Sequence, residues 1–145
     1  MILDEGWAVN KKADLFQVIP EIDLQELVDY GRERNVGIVL WAGYYAVERD
    51  MERVCKHFSE MGVKGFKVDF MDRDDQKISD FVYRLAETAA RYHLFLDLHG
   101  FHKPTGLQRT YPNVLNFEGV FGLEQMKWSG TDIDQVTYDV TIPYI

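Results

Sequence analysis

The chain has 145 residues, with 24 acids against 16 bases and a net charge of −8. That length can bury one domain-sized core, its apolar share of 46% excludes a disordered chain, and its acidic balance excludes the basic footprint of a nucleic-acid partner. No apolar run reaches the roughly 20 residues of a membrane span, and the only cysteine, Cys55, excludes an internal disulfide or a cysteine-based zinc site.

The predicted elements alternate along the chain. A short strand lies near residues 2–4. A helix is expected over 23–35, with Asp23 as its cap, Glu26 completing a capping box, and Leu24, Leu27, Val28 and Gly31 as the inner stripe. Residues 37–41 read as an apolar strand, and a second helix over 47–61 places Val47, Met51, Val54, Phe58 and Met61 on one face before Gly62 ends it. A strand follows at 65–70. Asp74 or Asp75 then opens a third helix, whose inner residues are Ile78, Phe81, Val82, Leu85 and Ala89. Residues 94–98 form the next strand, a long loop carries Pro104, Gly106 and Pro112, and a short strand is expected at 114–117. The last residues, 141–145, read as the start of a further strand, and the segment is expected to come from a longer protein.

Two strands carry the chemistry. In Gly65 to Phe70, alternation places Phe66, Val68 and Phe70 on one face and Lys67 and Asp69 on the other. In Leu94 to His99, the three leucines share a face, and Phe95, Asp97 and His99 share the opposite one. Repeated strand–helix–strand units imply a parallel sheet covered by helices. An open doubly wound sheet would bury Lys67 and Asp69 beneath a helix layer. Ionisable groups near strand C-termini instead suit the mouth of a (β/α)8 barrel, of which five or six strands are visible and the rest are expected outside the chain.

Lys67 with Asp69, and Asp97 with His99, could equally form buried pairs on a barrel floor. The run Asp72, Arg73, Asp74 and Asp75 reads as solvated loop and helix cap, and His57, His93 and His102 as surface or loop residues with no metal spacing. Glu118 and Glu124 lie among glycines after the last strand, where they could be solvated acids or hold Ca²⁺, a hard cation that takes oxygen ligands. Asp4 and Glu5 end the first strand at the same rim. A pocket ringed by carboxylates, one lysine and one histidine suits glycoside hydrolysis, and equally a metal-dependent hydrolase or an aldolase.

Four motifs then occur in order: Asp4-Glu5-Gly6-Trp7; Lys67 through Arg73; His99 through Thr105, with Arg109 to Asn113 following; and Glu118 through Glu124, with Lys127-Trp128. Together they resemble glycoside hydrolase family 97. The resemblance implies an α-glucosidase or α-galactosidase acting on an oligosaccharide. It implies a catalytic (β/α)8 barrel, of which residues 1–145 are the central part, flanked by N-terminal and C-terminal β-domains absent from this chain. It also implies a bound Ca²⁺ and a periplasmic or secreted location.

Inverting members carry a base glutamate directly after the histidine of the third motif, and here that position is Gly100. Retaining members use an aspartate at the end of the Lys-x-Asp strand, and here that is Asp69. The resemblance therefore implies Asp69 as nucleophile and Glu124 as acid/base, with about 5–5.5 Å between their carboxyls. It implies Glu118, and Glu124 beside it, as calcium ligands, and Lys67, His99 and Asp97 on the substrate-facing side. The alternatives are an inverting α-glucosidase of the same family and a non-catalytic carbohydrate-binding remnant. The segment on its own is expected to be inactive, with strand edges left unpaired.

Overall fold

The computed structural model describes residues 1–10, 14–130 and 132–144. Strands β1 (Ile2–Leu3), β4 (Val39–Gly43), β5 (Gly65–Asp69), β6 (Phe95–Leu98) and β7 (Val114–Phe117) form one sheet in the order β1-β4-β5-β6-β7, and every pairing is parallel. Helices α1 (Leu24–Glu33), α2 (Tyr44–Met61) and α3 (Gln76–Arg91) connect them. This is part of a (β/α)8 barrel, with five of its parallel strands in sequence order. Among the described residues, no helix is long and apolar enough to cross a membrane.

Each helix begins and ends where its side chains dictate. Asp23 accepts from the Glu26 amide and Asp75 from the Ile78 amide, each satisfying a donor that the first helical turn leaves open. At the C-terminus of α2, Gly62 takes φ +105, and its amide returns to Phe58 and Ser59, a conformation that costs a side-chain-bearing residue. Helix α2 starts three residues earlier than its stripe predicts, because Tyr44 is itself buried, with its ring edge-on to Phe81 at 4.8 Å.

The core lies between sheet and helices. Leu40 and Ala42, Phe66 and Val68, and Leu96 and Leu98 are all fully buried on the helix-covered face. Val54 and Phe58 of α2, and Ile78, Phe81 and Leu85 of α3, pack into the same core. Cys55 is buried there too, and burial pushes its thiol up to about 12, so it is an inert packing residue.

Three features depart from the sequence reading. An antiparallel pair, β2 (Ala8–Asn10) and β3 (Asp14–Val18), was not anticipated, and it brings Trp7 and Phe16 against Phe58. The loop after β6 contains a short helix, α4 (Leu107–Thr110). The C-terminal segment is helical rather than a strand: α5 (Gln135–Thr141) leads into a 3₁₀ turn over Ile142–Tyr144. Val136, Val140 and Ile142 favour strands. The Asp134 carboxylate nonetheless caps α5 through the amide and hydroxyl of Thr137, and Thr141 closes back onto the Thr137 carbonyl. Ile145 lies outside the described residues.

Candidate active site

The inner face of the sheet is built in two tiers. Strand register places Trp41 beside Lys67, Lys67 beside Asp97, and Asp97 beside Asn116. One step further along, Asp69, His99 and Glu118 stand at the C-terminal ends of β5, β6 and β7. The His99 amide donates to the Val68 carbonyl, and the Glu118 amide to the Leu98 carbonyl, which holds the upper tier in step.

Glu118 reaches this position through an irregularity. Leu96 pairs with Val114, but Asp97 pairs with Asn116, so β7 contains one extra residue at that point. Simple alternation from Val114 would send Asn116 and Glu118 to the helix-covered face. The bulge reverses this and aims both into the pocket. Asn116 Nδ2 then donates to Asp97 Oδ1 at 3.0 Å.

Asp69 is held from two sides. Trp41 Nε1 donates to Oδ2 at 3.0 Å, and the Phe70 amide donates to Oδ1 at 2.7 Å. The second contact needs the chain to turn sharply after the strand. Phe70 and Asp72 both adopt left-handed φ values, +62° and +45°, which bulky residues rarely take. This corrects one expectation: Phe70 leaves the apolar face it would share with Phe66 and Val68. It is partly exposed instead, with its ring edge-on to Trp41 at 5.5 Å.

The remaining ionisable groups form linked pairs. Lys67 Nζ donates to Asp4 Oδ2 at 2.8 Å. Burial works against the ammonium charge, but this bond and the charges of Asp4, Asp69 and Asp97 raise the lysine above its ordinary value. His99 lies between two carboxylates, with Nε2 at 3.2 Å from Asp97 Oδ1 and Nδ1 at 3.1 Å from Glu118 Oε2. Burial opposes its charge too, yet the bond to Asp97 and the charges of Asp97 and Glu118 raise it overall. An imidazolium donates from both nitrogens, so the charged form satisfies both partners. For Asp97, burial favours the neutral acid, and the bonds from His99 and Asn116 outweigh it and lower the group below its ordinary value.

These residues surround a cavity of about 1110 Å³. Asp69, Lys67, His99, Glu118 and Glu124 all line it, as the sequence reading expects. Glu124 is exposed on a 3₁₀ helix spanning Leu123–Lys127. Asp97 does not line the cavity. It lies one tier down, occupied by His99 and Asn116, and meets the cavity wall through His99. His102, read as a surface or loop residue, does line it.

Asp69, His99 and Glu118 bring one ligand atom each within 4.8 Å of one another, a grouping that does not include Glu124. Sequence reasoning did not single out Trp41. The signal was its strand register: it lies level with Lys67 on the inner face.

Position 100 is a glycine and offers no carboxylate to this pocket. Its φ is +59°, and an added Cβ would lie 2.8 Å from Asp72 Oδ1. Its amide donates to Glu118 Oε2 at 3.3 Å, while its carbonyl accepts from the Asp72 amide at 2.8 Å. A side chain here would strain the backbone and press on the turn that holds Asp69.

A parallel barrel segment with paired carboxylates and cations at its strand C-termini is the architecture of a barrel enzyme's active-site face. The glycoside hydrolase 97 family model matches residues 1–120, and the chain belongs to that family. It is 72% identical over all its 145 residues to a retaining alpha-galactosidase of Bacteroides thetaiotaomicron, of which it spans 22%. It is 38% identical over 104 residues, 70% of the chain, to a Streptomyces bingchenggensis protein named "Probable retaining alpha-galactosidase", spanning 16% of it. Among solved structures, a beta-arabinopyranosidase superimposes with a TM-score of 0.72 and 26% identity, over 88% of this chain and 21% of that one. The chain thus spans about a fifth of the relatives it matches.

Proposed function

We propose that this segment carries the nucleophile and the acid/base of a retaining α-galactoside hydrolase, working in its full reading frame. The observation that carries the reading is the state of Asp69. It stands at the end of β5 in the cavity, fixed by Trp41 and the Phe70 amide, while position 100 is a glycine and carries no carboxylate. The 72% identity to a retaining alpha-galactosidase supports the substrate class.

In the first step an Asp69 oxygen attacks the anomeric carbon. The bond to the leaving oxygen breaks, and Glu124 gives that oxygen its proton. The result is a β-linked galactosyl ester on Asp69. In the second step a water oxygen attacks the same carbon from the α face, Glu124 takes the water proton, and the ester bond returns its electrons to Asp69. Two inversions give net retention. Trp41 keeps the carboxylate from rotating out of line. Lys67 presents N–H donors to the sugar hydroxyls from the cavity wall, while His99, with both nitrogens engaged, holds Glu118 against Asp97.

The donor chemistry near Glu118 is compatible with Ca²⁺. Asp69 and Glu118 supply oxygens within 4.8 Å of each other, whereas both His99 nitrogens are engaged by carboxylates and are not free to ligate. In this reading Glu118 holds the ion, with Glu124 lining the same cavity. Bound there, the ion supplies fixed positive charge to orient sugar hydroxyls and offset the carboxylates.

Azide rescue tests the assignment in the full-length protein. Asp69→Gly with azide should form β-galactosyl azide, because the anion replaces the nucleophile on the β face. Glu124→Ala with azide should form the α-anomer, because azide then attacks the glycosyl-enzyme. The same anomer from both variants would overturn the two roles.

A further inference from the structure

The cavity wall changes character beyond the strand ends. The strands contribute charged groups, whereas the segment after β7 contributes Phe121, Trp128 and Tyr138. Trp128 is the most exposed of these, at 66%, yet it is not loose. It caps the 3₁₀ helix that carries Glu124. Its indole Nε1 donates to Gln125 Oε1 at 2.8 Å, and its amide donates to the Gln125 carbonyl at 3.2 Å. The wall behind it is also braced. The Phe121 amide donates to the Tyr138 hydroxyl at 2.9 Å, and the buried Gln135 side chain donates to the Phe121 carbonyl at 2.6 Å. The Lys127 ammonium lies 6.0 Å from the ring centroid, and the exposed indole still lines the cavity as a surface the chemistry above does not use.

From this geometry we infer that Trp128 is the platform for the leaving-group sugar, a subsite of the active site that rests on the Glu124 assignment above. A general acid must touch the oxygen it protonates, so the leaving group begins at the Glu124 carboxyl. Trp128 follows four residues later, at the C-terminal cap of the short 3₁₀ helix that carries Glu124, and both side chains line the cavity. The axial C–H groups of a sugar give an aromatic face an apolar partner, while its hydroxyls stay in water. The charged wall, by contrast, suits the hydroxyl-rich galactosyl residue being transferred. The ligand class at Trp128 is therefore a neutral hexose joined through the scissile bond. Binding energy gained there acts on the step that breaks the bond and is lost when the leaving group is small.

The test uses the full-length protein, with melibiose and α-galactosyl fluoride competing in one tube. Relative consumption gives the ratio of the two kcat/KM values, independent of how much enzyme is folded. Trp128→Ala should lower the melibiose-to-fluoride ratio by about tenfold, since fluoride has no ring to stack. Trp128→Tyr should restore most of the ratio, because it keeps an aromatic face. If the alanine variant yields no active protein, Trp128→Leu keeps the bulk without the ring and should show the same loss. An unchanged ratio in whichever of these is active overturns the subsite. The anomer released from the fluoride by wild type reads the Asp69 and Glu124 roles separately. Retention with an unmoved ratio defeats only the platform; inversion defeats the mechanism beneath it.

Discussion

The two faces of the parallel sheet use the same strands for opposite ends. On the helix-covered face, Leu40, Phe66, Val68, Leu96 and Leu98 are fully buried and interchangeable in kind, since any apolar side chain of the right volume would hold the sheet to α2 and α3. On the inner face, Trp41, Lys67, Asp69, Asp97 and His99 alternate with them and are not interchangeable, because each is fixed by a named partner. Folding energy comes mainly from the first set. With its partners Asp4 and Glu118, the second set gathers four carboxylates, Asp4, Asp69, Asp97 and Glu118, around Lys67 and His99. Such a network costs desolvation and adds little to folding stability.

Substitutions on the two faces should therefore separate activity from stability. The largest effect belongs to Asp69→Asn in the full-length enzyme. We expect kcat for an aryl α-galactoside to fall by about four to six orders of magnitude, with a thermal unfolding profile close to wild type. A large loss of stability would mean that Asp69 is a structural residue. On the other face, Phe66→Ala should cost about 3–5 kcal/mol of stability, measured by denaturant unfolding, while the molecules that remain folded turn over at the wild-type kcat.

Trp41→Phe sharpens the comparison, because Trp41 is buried yet belongs to the inner face. It keeps the aromatic bulk and removes one hydrogen bond to a charged carboxylate, worth about 1.5–3 kcal/mol. We expect kcat to fall by about 10–100-fold with little change in KM. An equal rise in KM with kcat intact would place Trp41 in substrate binding instead.

The smallest effect concerns pH. Asp97 is held below its ordinary value, so its contribution to stability is complete above the ordinary aspartate range and is lost as pH falls through the lowered one. Asp97→Asn should therefore be less stable than wild type at neutral pH, and the difference should shrink on acidification. A gap that widened in acid would reverse the sign of the Asp97–His99 interaction.

Much of this arrangement was legible in the sequence, and the reasons are local. The caps at Asp23 and Asp75, the glycine stop at Gly62, and the alternation in β5 and β6 depend only on residues a few positions apart. Lys67, Asp69 and His99 were legible as cavity residues for the same reason, whereas Glu118 and Glu124 were picked out by their glycine-rich loop and the family motif. What escaped depends on long-range pairing. The bulge that turns Glu118 inward exists only in the register of β7 against β6, and the bond from Trp41 to Asp69 joins residues that meet only when β4 lies beside β5. Asp97 illustrates the limit from the other side: its face was legible, but its depth beneath His99 was not. At the C-terminus, β-branched residues gave a strand signal that the Asp134 cap overrode.

The most direct test of the central claim follows the first turnover of an aryl α-galactoside by NMR, using the full-length enzyme with Asp69→Asn alongside. The account predicts that α-galactose appears before mutarotation supplies the β-anomer, and that the variant is inactive. β-Galactose as the first product, or a variant that keeps its rate, would contradict Asp69 as the nucleophile.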